Sequence, residues 1–269
     1  MNKKEVLERY NKEEEKLLIA KLIDKINTRN TQNKIEHTDF LDMYQKKICQ
    51  DVLNTLKERN YTFYGGFEGA DKNILILYPD KLERVFENNQ YNFNTLMKAI
   101  KITLPNELKG TYMHRDYLSG LMKLGIKREK CGDILIEEKG AYIIVQVELA
   151  DYIKDNLQAL TRFIKSKVEI IDLEQIKVPE RKKEEKCIRV SAMRLDSIIA
   201  EIAYTSRTGA NELIESGRVF VNYENETRKS RNLNEKDVIV IRGKGKFEIS
   251  KIEGNTKKGK IIVMVEHYV

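Results

Sequence analysis

The pattern of residues 194–203 is the strongest constraint on the fold, because its apolar side chains recur with the period of an α-helix. Positions i, i+3, i+4, i+7 and i+8 are occupied by Leu195, Ile198, Ile199, Ile202 and Ala203. One face of this helix must therefore be buried. The segment predicts a strongly amphipathic helix that packs against other elements of a C-terminal module.

A second helix is predicted to follow the first after a short turn. Thr205 or Ser206 can cap it, and Gly217 lies where a left-handed residue would end it. Alternating apolar residues then predict short strands, over 218–222, 238–241 and 261–265. These elements together predict a helix pair packed against a small, twisted, basic sheet.

Positive charge is concentrated in the same part of the chain. The 269 residues carry a net charge of +7, and the segment 228–260 holds eleven basic and four acidic residues, so its excess equals that of the whole chain. Such a concentration favours a polyanionic partner. Within it, Arg242-Gly-Lys-Gly-Lys246 predicts a basic hairpin, because it lacks the spacing and the following helix of a nucleotide-binding loop.

Residues 1–92 predict a helical N-terminal region with short strands. Helical spacing of apolar residues extends over 3–26 and again over 40–56, where Thr38 or Asp39 could cap the second helix. The polar stretch between these helices is interpreted as a loop. The N-terminal region is thus expected to contain a helix pair before its first strand.

Residues 93–178 follow the order βαββαβ, which predicts a ferredoxin-like domain of the kind that RRM modules also use. Tyr142 is the single aromatic of the run 139–145, so we interpret that strand as structural rather than as a platform for RNA bases. The charged run 179–187 predicts a linker, which leaves 188–269 as the C-terminal domain.

Composition argues against several classes of protein. Hydrophobic residues make up 41% of the chain, too many for a disordered protein. Three scattered cysteines (Cys49, Cys131 and Cys187) and three histidines argue against a zinc site or a disulfide framework. The charged N-terminus and the short apolar runs favour a cytoplasmic location. We expect a monomer that needs no metal or cofactor and contacts no membrane.

The C-terminal motifs resemble a known family. Arg194-Leu195-Asp196 opens the first helix, Ser206-Arg207 enters the second, and Leu213-Ile214, Gly217 and Val219 to Asn222 follow. This spacing resembles that of S4 RNA-binding domains, although Tyr223 stands where many members have glycine and Lys236-Asp237 replaces Gly-Asp. The resemblance implies a C-terminal S4 (αL-type) domain, so the chain as a whole is expected to be an α+β protein with a helical N-terminal region, an RRM-like βαββαβ middle domain and this S4 domain.

Phosphate contacts are expected where the second S4 helix begins, because its first N–H groups and Arg207 would both face an anion. We expect this helix N-terminus to lie beside the lysine-rich hairpin. The predicted RNA-binding residues are Arg194, Ser206, Arg207, Thr208, Asn211, Arg218, Asn222, Lys229, Arg231, Arg242, Lys244 and Lys246.

The middle of the chain extends the resemblance. Residues 111–133 carry His114-Arg115-Asp116 and Leu124-Gly125, then Arg128-Glu129 and Gly132-Asp133, while 38–41 and 65–72 carry TDFL and GGFEGADK. These elements resemble those of YlmH-like S4 proteins. The resemblance implies a bacterial protein that binds rRNA of the large ribosomal subunit and, in some members, peptidyl-tRNA during quality control of stalled chains. Secondary RNA-binding candidates are His114, Arg115, Lys127 and Arg128.

Other functions remain as alternatives. His114-Arg115-Asp116 is similar to a kinase catalytic loop, but position 121 is leucine where a metal-binding asparagine is required. The tripeptide is better explained as the start of a helix. Arg194-Leu195-Asp196 is similar to the aspartate motif of pseudouridine synthases, which leaves an RNA-modifying enzyme as one alternative. A protein-interaction scaffold linked to cell division is the other, since some YlmH-like genes lie beside division genes.

Overall fold

The fold divides into two compact units in a computed structural model that describes residues 3–179, 183–256 and 259–268. One unit spans Met1–Pro179 and the other Glu180–Val269. The mixture of helices and antiparallel sheets confirms the predicted α+β class. Residues 180–182 of the predicted linker, and Lys257 and Lys258 of the basic segment, lie outside the described residues.

The first unit begins with four helices and a small sheet. Its elements are α1 (Lys3–Leu7), α2 (Glu13–Gln32), β1 (Glu36–His37), α3 (Met43–Leu56), β2 (Tyr61–Tyr64), β3 (Ile74–Leu77) and α4 (Glu83–Glu87). The sheet has the order β1-β3-β2. The polar loop predicted between the helices is too long, because α2 continues to Gln32. The predicted caps Thr38 and Asp39 are wrong: Asp42 caps α3, accepting from the Gln45 N–H at 2.8 Å.

The βαββαβ order of the middle segment is confirmed. It consists of β4 (Met97–Thr103), α5 (His114–Lys123), β5 (Cys131–Glu137), β6 (Gly140–Gln146), α6 (Val147–Leu157) and β7 (Lys167–Ile171). The antiparallel sheet has the order β5-β6-β4-β7, which is the ferredoxin-like topology. Its helix-facing side chains, such as Ile100, Ile143 and Val145, form a core with α5 and α6.

The opposite face of this sheet is covered by the N-terminal segment. Ala99 and Ile144 point to that face and share a core with Ile74, Ile76 and Phe40. RRM modules use the corresponding face to stack RNA bases. In this chain the central part of that face is buried protein core, so it cannot serve as an open RNA platform. The 1–92 and 93–178 segments accordingly form one compact unit.

The second unit consists of two helices and a six-stranded sheet. Its elements are β8 (Lys183–Val190), α7 (Leu195–Ile202), α8 (Arg207–Glu215), β9 (Val219–Val221), β10 (Glu224–Asn225), β11 (Val238–Ile241), β12 (Gly245–Asn255) and β13 (Ile261–Tyr268). The sheet has the order β10-β9-β11-β12-β13-β8. The apolar face of α7 is buried as predicted, with Leu195, Ile198 and Ile199 fully buried against the sheet.

The predicted linker over 179–187 is too long. Lys183 already belongs to β8, which pairs with β13 from Lys183↔Tyr268 to Val190↔Ile261. Charged side chains are tolerated there because β8 is an edge strand of the sheet and most of its side chains are exposed to solvent. Only Ile188 and Val190 contribute buried side chains. The folded C-terminal unit therefore includes residues 183–187, which the charged composition had predicted to be part of the linker.

Candidate nucleic-acid interface

The N-terminus of α8 presents unpaired backbone donors. Ser206 caps the helix, since its Oγ accepts the Gly209 N–H at 3.1 Å. The first intrahelical bond is donated by Ala210 to the Ser206 carbonyl, so the N–H groups of Arg207 and Thr208 have no partner within the described part of the chain. Ser206 was predicted to face phosphate, but its hydroxyl oxygen is used as the cap. The backbone around it is the anion-attracting feature.

Arg207 adds a fixed positive charge at the same helix end. Its Nη2 donates to Ser197 Oγ at 2.8 Å and to Ser191 Oγ at 3.0 Å, while the side chain as a whole is exposed. These bonds orient the guanidinium, and Nε and Nη1 have no protein partner among the residues described. A planar fork held in this way is suited to a phosphate.

The N-terminus of α7, in contrast, is closed by the protein itself. The Leu195 N–H donates to the carbonyl of Arg231 at 2.9 Å, and the Asp196 N–H to that of Lys229 at 3.1 Å. Arg194 forms a bidentate pair with Asp196 at 3.0 Å for each bond. Burial alone would raise the pKa of Asp196, but the Arg194 hydrogen bonds outweigh it and hold the pKa below its usual value. Arg194 is therefore a structural residue with a partly exposed charge.

Glu226 forms ion pairs with two arginines of the basic segment. Its side chain is only 6% exposed and accepts from Arg228 Nη2 at 2.9 Å and Arg231 Nη1 at 2.8 Å. The Arg228 hydrogen bonds lower the pKa of Glu226 to about 2, against the opposing effect of burial and with a further contribution from Arg231. The prediction that Arg231 contacts RNA is corrected accordingly, since its guanidinium neutralises a buried carboxylate.

Asn222 is a second correction. Its Nδ2 donates to Asp237 at 2.7 Å and its Oδ1 accepts the Val238 N–H at 2.9 Å, so both polar atoms hold the turn after β9. Asn222 and Tyr223 both have positive φ, 50° and 70°, as a two-residue hairpin turn requires. Asn222 thus belongs to the scaffold of the sheet rather than to its RNA-facing surface.

The β11–β12 hairpin carries the second basic group. Arg218 Nη2 donates to the Arg242 carbonyl at 2.9 Å, and the Arg242 N–H donates to the Arg218 carbonyl at 2.9 Å. Lys244 is exposed at the tip, and the Lys246 Nζ lies 5.0 Å from the centre of the Tyr268 ring. Arg218, Arg242 and Lys244 are exposed at this end of the sheet, whereas Lys246 is half-buried and its Nζ also lies 5.6 Å from the centre of the Tyr223 ring.

The two basic groups lie at opposite ends of α8. Arg207 is its first residue, whereas Arg218 follows shortly after its last, Glu215. Nine residues of helix separate them by about 14 Å at 1.5 Å per residue. The expectation that the helix N-terminus lies beside the hairpin is therefore wrong. An RNA that contacts both groups must extend along α8.

The remaining S4 candidates differ in accessibility. Thr208 is exposed, and Lys229 forms an ion pair with Glu215. Asn211 faces inward through its Oδ1, which is buried and has no hydrogen-bond partner in the described residues. Burial of that oxygen argues against a direct RNA contact through it. Thr208 and Lys229 remain consistent with the predicted surface.

The secondary candidates of the first unit are unevenly exposed. His114, Arg115 and Lys127 are exposed, whereas Arg128 is half-buried and donates to the carbonyls of Cys131 (2.8 Å) and Gly132 (3.1 Å). Asp116 accepts the Met113 N–H at 2.8 Å, which confirms that 114–116 begins a helix.

Lys72 was missed by sequence reasoning and belongs with these cations. Its N–H donates to Asp133, and its ammonium lies near the Arg128 charge. Burial, reinforced by Arg128, lowers the pKa of Lys72 to about 8, although Asp42 and Asp133 oppose the shift. Partial desolvation of its ring, aided by Arg128 and Lys72, also lowers the pKa of His114, although the residue as a whole is exposed. The available signal was the position of Lys72 at the end of the 65–72 element.

Replacing Lys72 with methionine is expected to raise the thermal midpoint at pH 7. Below pH 8 the lysine is charged in both states, so folding bears the full cost of its desolvated charge. Between about 8 and the unfolded value of 10.5 the native state releases its proton first, so this cost falls progressively and is lost above 10.5. Thermal unfolding at pH 7 and pH 10 should show a much larger gain at the lower pH. A gain of equal size at both pH values would contradict the shifted pKa, and exposed Lys123→Met is the control.

Metal and membrane signatures are not found in the described residues. Among them, no group of three or more His, Cys, Asp or Glu side chains is placed to hold a metal ion. No helix within that part of the chain is both long and apolar enough to cross a bilayer.

Both parts of the chain that resemble known families match a family model. Residues 89–180 match the family described as a putative RNA-binding domain in YlmH, and residues 193–239 match the S4 domain. Over 238 residues the chain is 32% identical to the ribosome-associated protein quality control protein P2 of Bacillus subtilis (strain 168). This match covers 87% of this chain and 88% of that protein. A solved structure of the cell division protein ylmH from Streptococcus pneumoniae has 19% identity and a TM-score of 0.47, covering 62% of this chain and 98% of the other.

Proposed function

The chain belongs to the YlmH-like family of S4-domain proteins, and from that premise we propose that it is a non-catalytic protein that docks on structured RNA through its S4 domain. The proposed RNA is rRNA of the large ribosomal subunit, with peptidyl-tRNA as a further contact during quality control of stalled chains. The name of the B. subtilis relative, which describes a ribosome-associated quality control protein, supports this target. On the same ground we propose a cytoplasmic location.

The observation that carries the proposal is the N-terminus of α8. Two backbone N–H groups lack a partner among the described residues at this helix end, and the first residue of the helix is Arg207, whose guanidinium is oriented by Ser191 and Ser197. The helix dipole adds a partial positive charge at the same point. This combination attracts a phosphate group, and the exposed cations of the β11–β12 hairpin supply a second point of contact.

The division scaffold remains the alternative from a different class. Its working surface would be the charged N-terminal helices, and RNA affinity would be incidental to it. Sedimentation with ribosomal subunits separates the two proposals, because a scaffold would not require the basic residues of the S4 unit.

Sedimentation with purified large ribosomal subunits tests the proposal. We expect the full chain to sediment with the subunits at low salt and to be released at high salt, because binding exchanges condensed counterions for protein charges. Lys244→Glu should reduce the bound fraction severalfold at intermediate salt. If wild type fails to sediment with the subunits at low salt, the proposed target is wrong.

Lys251→Glu is the matched control. Lys251 is an exposed lysine of strand β12, seven residues beyond Lys244, which lies in the turn before that strand, and so about 20 Å away. The Lys251→Glu substitution changes the net charge by the same amount as Lys244→Glu. Equal losses in the two variants would indicate a nonspecific effect of charge, whereas no loss in Lys244→Glu would contradict the proposed surface.

A further inference from the structure

Tyr204 occupies an unfavourable backbone conformation directly after α7. Its φ is 51°, in the left-handed region. Its N–H donates to Glu201 O at 3.3 Å, and the Thr205 N–H donates to Ala200 O at 2.9 Å. These two bonds define a Schellman motif with Tyr204 at the left-handed position, which glycine usually occupies. A side chain with a Cβ is disfavoured there relative to glycine.

The neighbouring helix shows the usual solution. α8 ends in the same motif, with Gly217 at φ 70° donating to Ile214 O at 3.1 Å and Arg218 donating to Leu213 O at 3.2 Å. The second unit therefore contains one motif twice, with glycine in one copy and tyrosine in the other. The motif itself does not require tyrosine, and Lys57 occupies the same position after α3 at φ 58°, so the role of Tyr204 must be argued from its ring rather than from its backbone.

The Tyr204 ring is placed for contact with a partner. It is 79% exposed, the highest value among the large apolar side chains of the described residues. The Lys186 Nζ lies 5.3 Å from the ring centre, so a cation approaches the ring from strand β8. Arg207, with its oriented guanidinium, follows three residues later. An exposed aromatic ring with one cation near its face, three residues before the helix end that carries Arg207, matches a nucleotide, whose base is planar and whose phosphate is anionic.

We propose that Tyr204 stacks on an unpaired base of the bound RNA while the adjoining phosphate is held at the N-terminus of α8. This inference rests on the proposed RNA-binding function and adds a structural requirement to it. The preferred RNA contains a loop or bulge next to its helix, because a base within a continuous duplex is not free to leave its stack. A protein partner would have no need of the phosphate contact at Arg207.

Two short RNAs test the inference with the full chain. One is a stem–loop with 2-aminopurine in the loop, and the other is a continuous duplex of equal length. We expect wild type to bind the stem–loop more tightly and to change its 2-aminopurine fluorescence. Tyr204→Gly should bind the stem–loop at least fivefold more weakly, since stacking contributes about 1–3 kcal/mol per base, while its affinity for the duplex is unchanged.

Stability provides an independent readout. Tyr204→Gly should raise the thermal midpoint by a few degrees, because glycine suits the left-handed position. A role confined to packing would instead make stability and affinity change together. Tyr204→Phe should retain stem–loop binding, and Tyr152→Ala, at an exposed tyrosine of the first unit, should change neither affinity.

The outcomes separate the two proposals. If Tyr204→Gly binds the stem–loop as tightly as wild type, the stacking inference is wrong, and the RNA-binding proposal stands as long as Lys244→Glu weakens both RNAs. If Lys244→Glu also leaves both affinities unchanged, the proposed S4 interface fails as well.

Discussion

Replacing Glu226 with glutamine is expected to lower the free energy of unfolding of the C-terminal unit by about 3 kcal/mol. The carboxylate is nearly buried and accepts four hydrogen bonds, from the Arg228 N–H, Nε and Nη2 and from Arg231 Nη1. Glutamine fills the same volume but offers one acceptor and no charge, so two guanidinium groups lose their counterion. Arg228 is 74% exposed and can turn to water, which limits the loss.

The dependence on pH distinguishes this effect from a change in packing. The pKa of Glu226 is about 2 in the folded protein and 4.5 as its ordinary value. Its stabilising contribution is therefore complete above pH 4.5 and is lost as the pH falls from 4.5 toward 2. Denaturant unfolding at pH 7 and pH 3 should show a smaller difference between wild type and Glu226→Gln at pH 3.

Glu253→Gln is the control for this prediction. Glu253 belongs to the same unit but forms a surface ion pair with Lys251, and such pairs contribute about 0–1 kcal/mol. A loss for Glu226→Gln no larger than that of Glu253→Gln would contradict the structural role assigned to the buried carboxylate.

Arg207→Gln is expected to weaken RNA binding about tenfold or more. Hydrogen bonds to charged groups contribute about 1.5–3 kcal/mol, and the variant removes both the charge and the guanidinium fork at the N-terminus of α8. Deproteinised rRNA of the large subunit is a suitable probe. The slope of the logarithm of the binding constant against that of salt concentration should fall by about one.

The comparison with Arg207→Lys separates charge from geometry. Lysine keeps the charge, so the salt slope should remain that of wild type, but it lacks the fork and should give an intermediate affinity. Arg207 is exposed, so loss of its bonds to Ser191 and Ser197 should change the thermal midpoint little. If Arg207→Gln has wild-type affinity with an unchanged salt slope, Arg207 does not contact phosphate.

Local periodicity made much of the fold predictable from the sequence. The apolar spacing of α7 and the βαββαβ alternation are properties of short windows, and both are confirmed. Strand β8 was missed because only Ile188 and Val190 are buried and its pairing with β13 joins residues about seventy positions apart or more. Contacts of that range leave little trace in local composition.

The candidate site was only partly predictable, for a related reason. Motif spacing located Ser206 and Arg207, but it did not reveal which cations the protein neutralises internally. Arg231 appeared equivalent to Arg242 in the sequence, yet one binds buried Glu226 and the other remains exposed. Lys72 was overlooked because its neighbour Arg128 is more than fifty residues away in the chain.

The covered sheet face of the first unit limits how this protein can be dissected. The matched segment 89–180 has the strand order of a ferredoxin-like domain and invites excision as an independent piece. Cutting there would remove Phe40, Ile74 and Ile76 and leave Ala99 and Ile144 in water. An exposed apolar sheet face promotes aggregation. The smallest fragment that keeps this middle sheet soluble is therefore one that retains the N-terminal strands and helices with it.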